Sequence, residues 1–178
     1  MPAFTPSPAL LPITRVSVSD MDQHGSALWT YNRGASLGSG ALGTNLITYI
    51  PFLIPATVTV YRLWWMSIGT AAGNYDMGIY TETGTRLASL GSTASTLSGQ
   101  QMVYADIPDT TIGRGVYFVA LALSSGSQSV MRWALANGMQ RSLILYVQAT
   151  FTLPATATFS TNNTTTALPM VGMDLRGY

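Results

Sequence analysis

Residues 57–66 read Thr-Val-Thr-Val-Tyr-Arg-Leu-Trp-Trp-Met, and this stretch decides the fold class. Seven of its ten side chains are β-branched or aromatic. Such side chains suit a pleated, half-buried surface and lose rotamer freedom in a helix. The run therefore predicts a strand. Neighbouring side chains on a strand point to opposite faces, so Trp64 and Trp65 are expected on opposite sides of a sheet.

The same signal repeats on both sides of that run. Downstream, 75–82 (YDMGIYTE) reads as a strand, and Thr83-Gly84 turns the chain into a further strand over 86–90. A polar loop over 91–99 leads to a strand at 102–107, closed by Pro108-Asp109. Residues 115–124 (GVYFVALALS) are apolar on both faces, which predicts a central strand covered on both sides. Residues 125–141 fit either a short helix ending near Asn137-Gly138 or irregular loops. Residues 142–152 (SLILYVQATFT) alternate cleanly, with Leu143, Leu145, Val147, Ala149 and Phe151 on one face. Upstream, 46–52 is a strand candidate ending at Pro51 or Pro55. Residues 33–45 are rich in Gly and Ser and read as a loop, and 15–19 alternate like a strand. Short strands at this spacing, with Gly, Pro, Asn and Asp between them, predict an all-β fold: an antiparallel, jelly-roll-like β-sandwich.

The expected organisation has three parts. Residues 1–14 form an extended arm, because Pro2, Pro6, Pro8 and Pro12 fix φ and remove donors. The arm cannot bury its own Phe4, Leu10, Leu11 and Ile13, so these are expected to lie on a neighbouring subunit. Residues 15–153 form the sandwich. Residues 154–178 form a Thr- and Asn-rich tail, with an apolar segment at 168–173, packing on the sandwich or on a neighbour. The opening residues have no basic region followed by an apolar run, so no signal peptide is expected. No uninterrupted apolar stretch is long enough for a transmembrane helix.

Several motifs in the middle of the chain carry a resemblance. They are Ile54-Pro55-Ala56-Thr57-Val58-Thr59-Val60, then Tyr75-Asp76-Met77-Gly78-Ile79-Tyr80, then Gly84 with Leu87-Ala88, then Gly113-Arg114-Gly115-Val116-Tyr117-Phe118-Val119-Ala120. Over residues 54–124 this order resembles the jelly-roll β-sandwich domains of phage virion proteins, found in tail fibres, adhesins and head fibres. The resemblance implies a homotrimer on the surface of a phage particle, with the major capsid protein or another virion protein as partner. It assigns no catalytic residue.

Composition points to assembly as well. Charged residues make up 8% of the chain, where a soluble domain commonly has about a quarter. All eight cations are arginine, and Ser and Thr together number 40. With a net charge of +1, repulsion does little to keep copies apart. The arginines are scattered along the chain without a basic stripe, so nucleic acid is not an expected partner. The chain has no cysteine, which rules out disulfides and thiol catalysis.

Candidate chemistry is sparse. On an extended strand Asp20, Asp22 and His24 would share one side and could ligate a divalent cation. The plainer reading is a polar strand-to-loop transition, and no metal or cofactor is expected. His24 is the one histidine and Glu82 the one glutamate. A serine triad lacks its Gly-x-Ser-x-Gly elbow, and glycoside hydrolysis would need a carboxylate pair such as Asp76 and Glu82. Gly38-Ser39-Gly40-Ala41-Leu42-Gly43 matches a GxGxxG string without the helix or the later acid that a dinucleotide site needs. Tyr61, Trp64 and Trp65 are the candidate aromatics for a subunit interface or for stacking on a sugar. Two functions compete: a non-enzymatic decoration, cement or head-fibre subunit, and a tail-fibre or adhesin module that binds host surface glycan.

Overall fold

The structure is a computed structural model. It describes residues 18–21, 27–31, 37–134, 146–148, 150–159 and 167–176. All regular structure among the described residues is strand. In chain order the first seven are β1 (Val18–Met21), β2 (Ala27–Tyr31), β3 (Leu37–Ala41), β4 (Leu46–Ile54), β5 (Val58–Gly69), β6 (Asn74–Thr81) and β7 (Arg86–Ser89). The rest are β8 (Thr93–Ala94), β9 (Gly99–Ile112), β10 (Gly115–Leu123), β11 (Ser129–Ala134), β12 (Tyr146–Gln148), β13 (Ala167–Pro169) and β14 (Val171–Arg176). They form two antiparallel sheets packed on each other as a β-sandwich. The first sheet runs β1-β2-β14-β5-β11-β13, with β3 on β11 and β9 on β5. The second runs β12-β4-β10-β6-β7, with β8 on β6.

The core follows from period-two alternation. From the second sheet Ile50, Phe52 and Ile54, Met77 and Ile79, and Val119, Leu121 and Leu123 point inward. From the first sheet Val58, Val60, Leu63 and Trp65, Val103 and Ala105, and Val171, Met173 and Leu175 meet them. Full burial of each large aliphatic side chain contributes on the order of 1.5–3 kcal/mol.

The intervening residues of the second sheet are buried too. Ile47, Tyr49, Tyr80, Phe118, Ala120 and Ala122 form a second cluster with Leu153 and Ala157. Residues 150–159 therefore lie as a strap across the outer face of that sheet. Tyr80 donates its hydroxyl to the Pro154 carbonyl at 2.7 Å, and Arg86 donates to the Leu153 carbonyl. The Ala157 amide donates to Gly84 and the Arg86 amide to Ala155. This explains the doubly apolar β10: one face meets the core and the other meets the strap. Gly78 is required beneath the strap. A Cβ there would sit 2.7 Å from the Ala88 carbonyl oxygen and 2.9 Å from Leu153. Beside it the β6–β7 pairing also shifts register, between Ile79 and Tyr80.

Several segments depart from the sequence expectation. The loop expected over 91–99 contains β8, and the strand expected to close at Pro108-Asp109 runs on to Ile112 as part of β9. The Gly- and Ser-rich stretch 33–45, read as a loop, contains β3, which pairs with β11. Ladder hydrogen bonds come from the backbone, so glycines can fill a strand when a partner supplies the register. Residues 125–141, read as a short helix or loops, contain that partner, β11. Of the alternating stretch 142–152, residues 146–148 are strand β12 on β4, while Phe151 and Thr152 bend into the strap. Strand β4 continues through Pro51 to Ile54. It pairs with β10 along its whole length and stops before Pro55, the later of the two expected ends. The segment 154–178, expected to pack as a tail, contributes β13 and β14, and β14 lies inside the first sheet between β2 and β5.

Candidate functional site

The outer face of the first sheet is built around an irregularity at Tyr61. Along β5, Val58 and Val60 point inward, and so do Leu63 and Trp65. Strict alternation cannot bury both Val60 and Leu63, three positions apart. A bulge resolves the conflict. Opposite the consecutive residues Asp174 and Leu175 of β14 stand Arg62 and Val60, so Tyr61 is the extra residue. The pairing with β9 shifts at the same place, from Thr110 opposite Val60 to Asp106 opposite Arg62. A bulge re-aims side chains, and here it sets Tyr61 and Arg62 side by side on the outer surface.

The register then gathers an array there. Arg62 faces Asp106 on one side and Asp174 on the other. Its Nε donates to Asp106 Oδ1 at 2.6 Å, and its Nη1 lies 4.0 Å from Asp174 Oδ2. Arg176 Nε lies 2.6 Å from Asp109 Oδ2. The guanidinium carbons stack on tyrosine rings: Arg62 is 5.0 Å from the Tyr104 centroid and 5.4 Å from Tyr61, and Arg176 is 4.6 Å from Tyr61. The Asp106 hydrogen bond is the largest influence on the Arg62 guanidinium and raises its pKa. Exposed ion pairs add little stability. What the array supplies is fixed geometry, since each arginine is held by a carboxylate and a ring at once. Two arginines against three aspartates leave one net negative charge.

The sequence candidates fall in different places. Tyr61 belongs to the array. Both tryptophans are buried, Trp64 at 5% and Trp65 at 0% exposure, so neither offers a ring for a sugar to stack on. Trp65 lies in the core with its ring centroid 5.9 Å from that of Tyr75. Its Nε1 has no hydrogen-bond partner among the described residues. Trp64 sits on the outer face opposite Tyr104 and Gly172. Arm residues Phe4, Leu10, Leu11 and Ile13, and the candidate ligands Asp22 and His24, lie outside the described residues. Asp20 is in β1 opposite Trp29. Among the described residues no cluster of three potential ligands occurs.

Asp76 and Glu82 are not brought together. Asp76 is buried on the strap side of β6 and accepts from the Gly91 amide at 3.0 Å. Glu82 is exposed in the following turn, six residues on, or about 20 Å along an extended chain. Burial raises the Asp76 pKa, although amide donors and Arg86 oppose the shift. Burial likewise pushes the Tyr49 phenol up to about 12, and the Tyr80 phenol also rises. These two rings meet edge to face at 5.2 Å. The chemistry on this side of the molecule is that of a clamp for the strap.

Sequence reasoning missed Tyr104, Asp106, Asp109, Asp174 and Arg176 as a group. One signal was available: in 102–107 the even positions Met102, Tyr104 and Asp106 share a face. Nothing in the sequence registers that face against Arg62. Scans against protein-family models, curated proteins and solved structures return no match for this chain.

Proposed function

We propose that this chain is a non-enzymatic structural subunit of a bacteriophage particle, a capsid decoration, cement or head-fibre subunit that assembles as a homotrimer at the virion surface. The observation that carries the reading is the array. A chain with only seven acids and eight arginines places three of those acids and two of those arginines on one sheet face, prearranged with two tyrosines. Tyrosine and arginine are enriched in protein interfaces, and prearranged side chains lose less entropy on docking. The hydroxyl-rich, charge-poor remainder suits a subunit whose surface meets other protein. A jelly-roll connection of the strands belongs to the same reading.

The host-glycan alternative is weakened by the burial of Trp64 and Trp65. The ring of Tyr61 is also already stacked under two guanidinium groups. Two measurements test the proposal. Sedimentation equilibrium of the purified chain is expected to give a trimer, and quantitative mass spectrometry of purified particles is expected to give many copies per particle. A monomer at every concentration, or specific binding on a glycan array, would overturn it.

A further inference from the structure

The outer face of the β5–β9 ribbon continues beyond the array into an apolar half. Its rungs are set by register: Arg62 opposite Asp106, Trp64 opposite Tyr104, Met66 opposite Met102, and Ile68 opposite Gln100. Trp64 is the buried floor. Met66, Ile68 and Met102 are partly exposed, and Tyr104 is 49% exposed. At the other end the Asp106 and Asp109 side chains are 72% and 52% exposed. The strip is thus apolar at one end and net negative at the other, with a tyrosine at the junction.

We propose that this strip is the seat of the proline-rich arm of a second copy of the chain. The inference rests on the assembly reading above and names the contact that would carry it. Three features of residues 1–15 fit the strip. The prolines favour the extended polyproline conformation, which commonly docks on aromatic-lined surfaces. The arm's Phe4, Leu10, Leu11 and Ile13 need apolar cover, and the strip offers methionine, isoleucine and tyrosine. Arg15 is the only charged side chain in residues 1–19, and it matches the net negative end. The lengths also agree. Eleven steps from Phe4 to Arg15 span about 34 Å in that conformation, and nine steps from Gln100 to Asp109 span about 30 Å.

The same geometry makes the contact intermolecular. The arm joins the sheet at β1, and β2, β14 and β5 stand between β1 and β9. Four strand spacings of about 4.8 Å place β9 about 19 Å away. Arg15 is three residues before Val18, a backbone reach of at most about 11 Å. The register also puts Asp20, Trp29, Gly172, Trp64 and Tyr104 on one rung, so Asp109 lies about seven residues, or about 23 Å, further along the strands from Val18. A chain's own Arg15 therefore falls short of its own Asp109 even with its side chain extended, whereas that of a neighbour is under no such limit.

The absence of native cysteine makes the test direct. Leu11→Cys and Met102→Cys are made in separate chains, mixed, and treated with a short bis-maleimide. A third chain carries Leu87→Cys, an exposed site on the other sheet. The expected result is a cross-linked heterodimer of the Leu11→Cys and Met102→Cys chains, and none with Leu87→Cys. A chain lacking residues 1–14 is expected to keep its β-sheet circular dichroism. Its assembly is expected to weaken by more than about tenfold, the equivalent of one buried anchor. Cross-linking confined to single chains when both cysteines share one chain would overturn the exchange, and equal reaction with Leu87→Cys would overturn the seat. Undiminished assembly without the arm would overturn the inference and leave the assembly reading standing. A full-length chain that stays monomeric would remove both.

Discussion

Deletion of Tyr61 is expected to leave a cooperatively folded sandwich whose outer array is dismantled. The bulge is a matter of residue count, and Tyr61 is the extra residue. Without it Val60 and Leu63 stand two positions apart, so unbroken alternation keeps Val58, Val60, Leu63 and Trp65 all inward. Val58 is 4% exposed and Val60 0%, and both are expected to keep that burial. Turning both outward would cost about 1.5–3 kcal/mol for each, or about 3–6 kcal/mol together. A domain of this size has on the order of 5–15 kcal/mol in total, so the two cases are readily told apart. The deletion is expected to cost less than about 3 kcal/mol. Tyr61→Ala keeps the count and removes a ring from the outer face, with an expected effect within about 1 kcal/mol. Guanidinium unfolding followed by tryptophan fluorescence measures both, since Trp64 and Trp65 lie in the same strand. A deletion variant that loses about 3–6 kcal/mol, or that unfolds without a cooperative transition, would refute the argument that Tyr61 is the residue the bulge absorbs.

Three further outcomes are expected. Leu153→Ala should cost about 2–5 kcal/mol, because Leu153 is 1% exposed under the strap, and hydrogen exchange should accelerate over 150–159; a cost below about 1 kcal/mol would mean the strap is not part of the fold. Gly78→Ala should destabilise by about 1–3 kcal/mol through overpacking against the Ala88 carbonyl, as read from a thermal melt, and an unchanged melt would show that β7 can yield. Asp76 has a folded pKa raised by burial, so the folded state holds its proton more tightly than the unfolded state. Its contribution is most favourable below the ordinary carboxylate range and is lost as pH rises through the raised value. Asp76→Asn should therefore gain on the wild type across that interval, and parallel stability curves against pH would contradict the assignment.

The β class was legible because side-chain chemistry repeats with period two. Residues 57–66 become β5 and 115–124 contain β10, and the doubly apolar reading of the latter matches its burial under both core and strap. Strand β3 was not legible. Its Leu-Gly-Ser-Gly-Ala has no strand propensity of its own, and pairing with β11 imposes the conformation. The buried position of Trp64 was equally out of reach, because opposite faces of a strand say nothing about what covers each face. The array was the hardest part to foresee. Arg62 and Asp106 are 44 residues apart, and Asp174 lies in a segment that composition marks as a tail.

The sequence by itself determined an all-β chain, the doubly apolar character of residues 115–124 and a charge-poor composition. These follow from local chemistry: β-branched spacing and the residue inventory. Tertiary structure alone decided the bulge at Tyr61, the register of β5 against β9 and β14, and the strap over the second sheet. The physical reason is that register is a long-range property. The bulge absorbs one extra residue in β5 so that both halves of the strand still reach the core, and the same residue helps turn scattered arginines, tyrosines and aspartates into one surface.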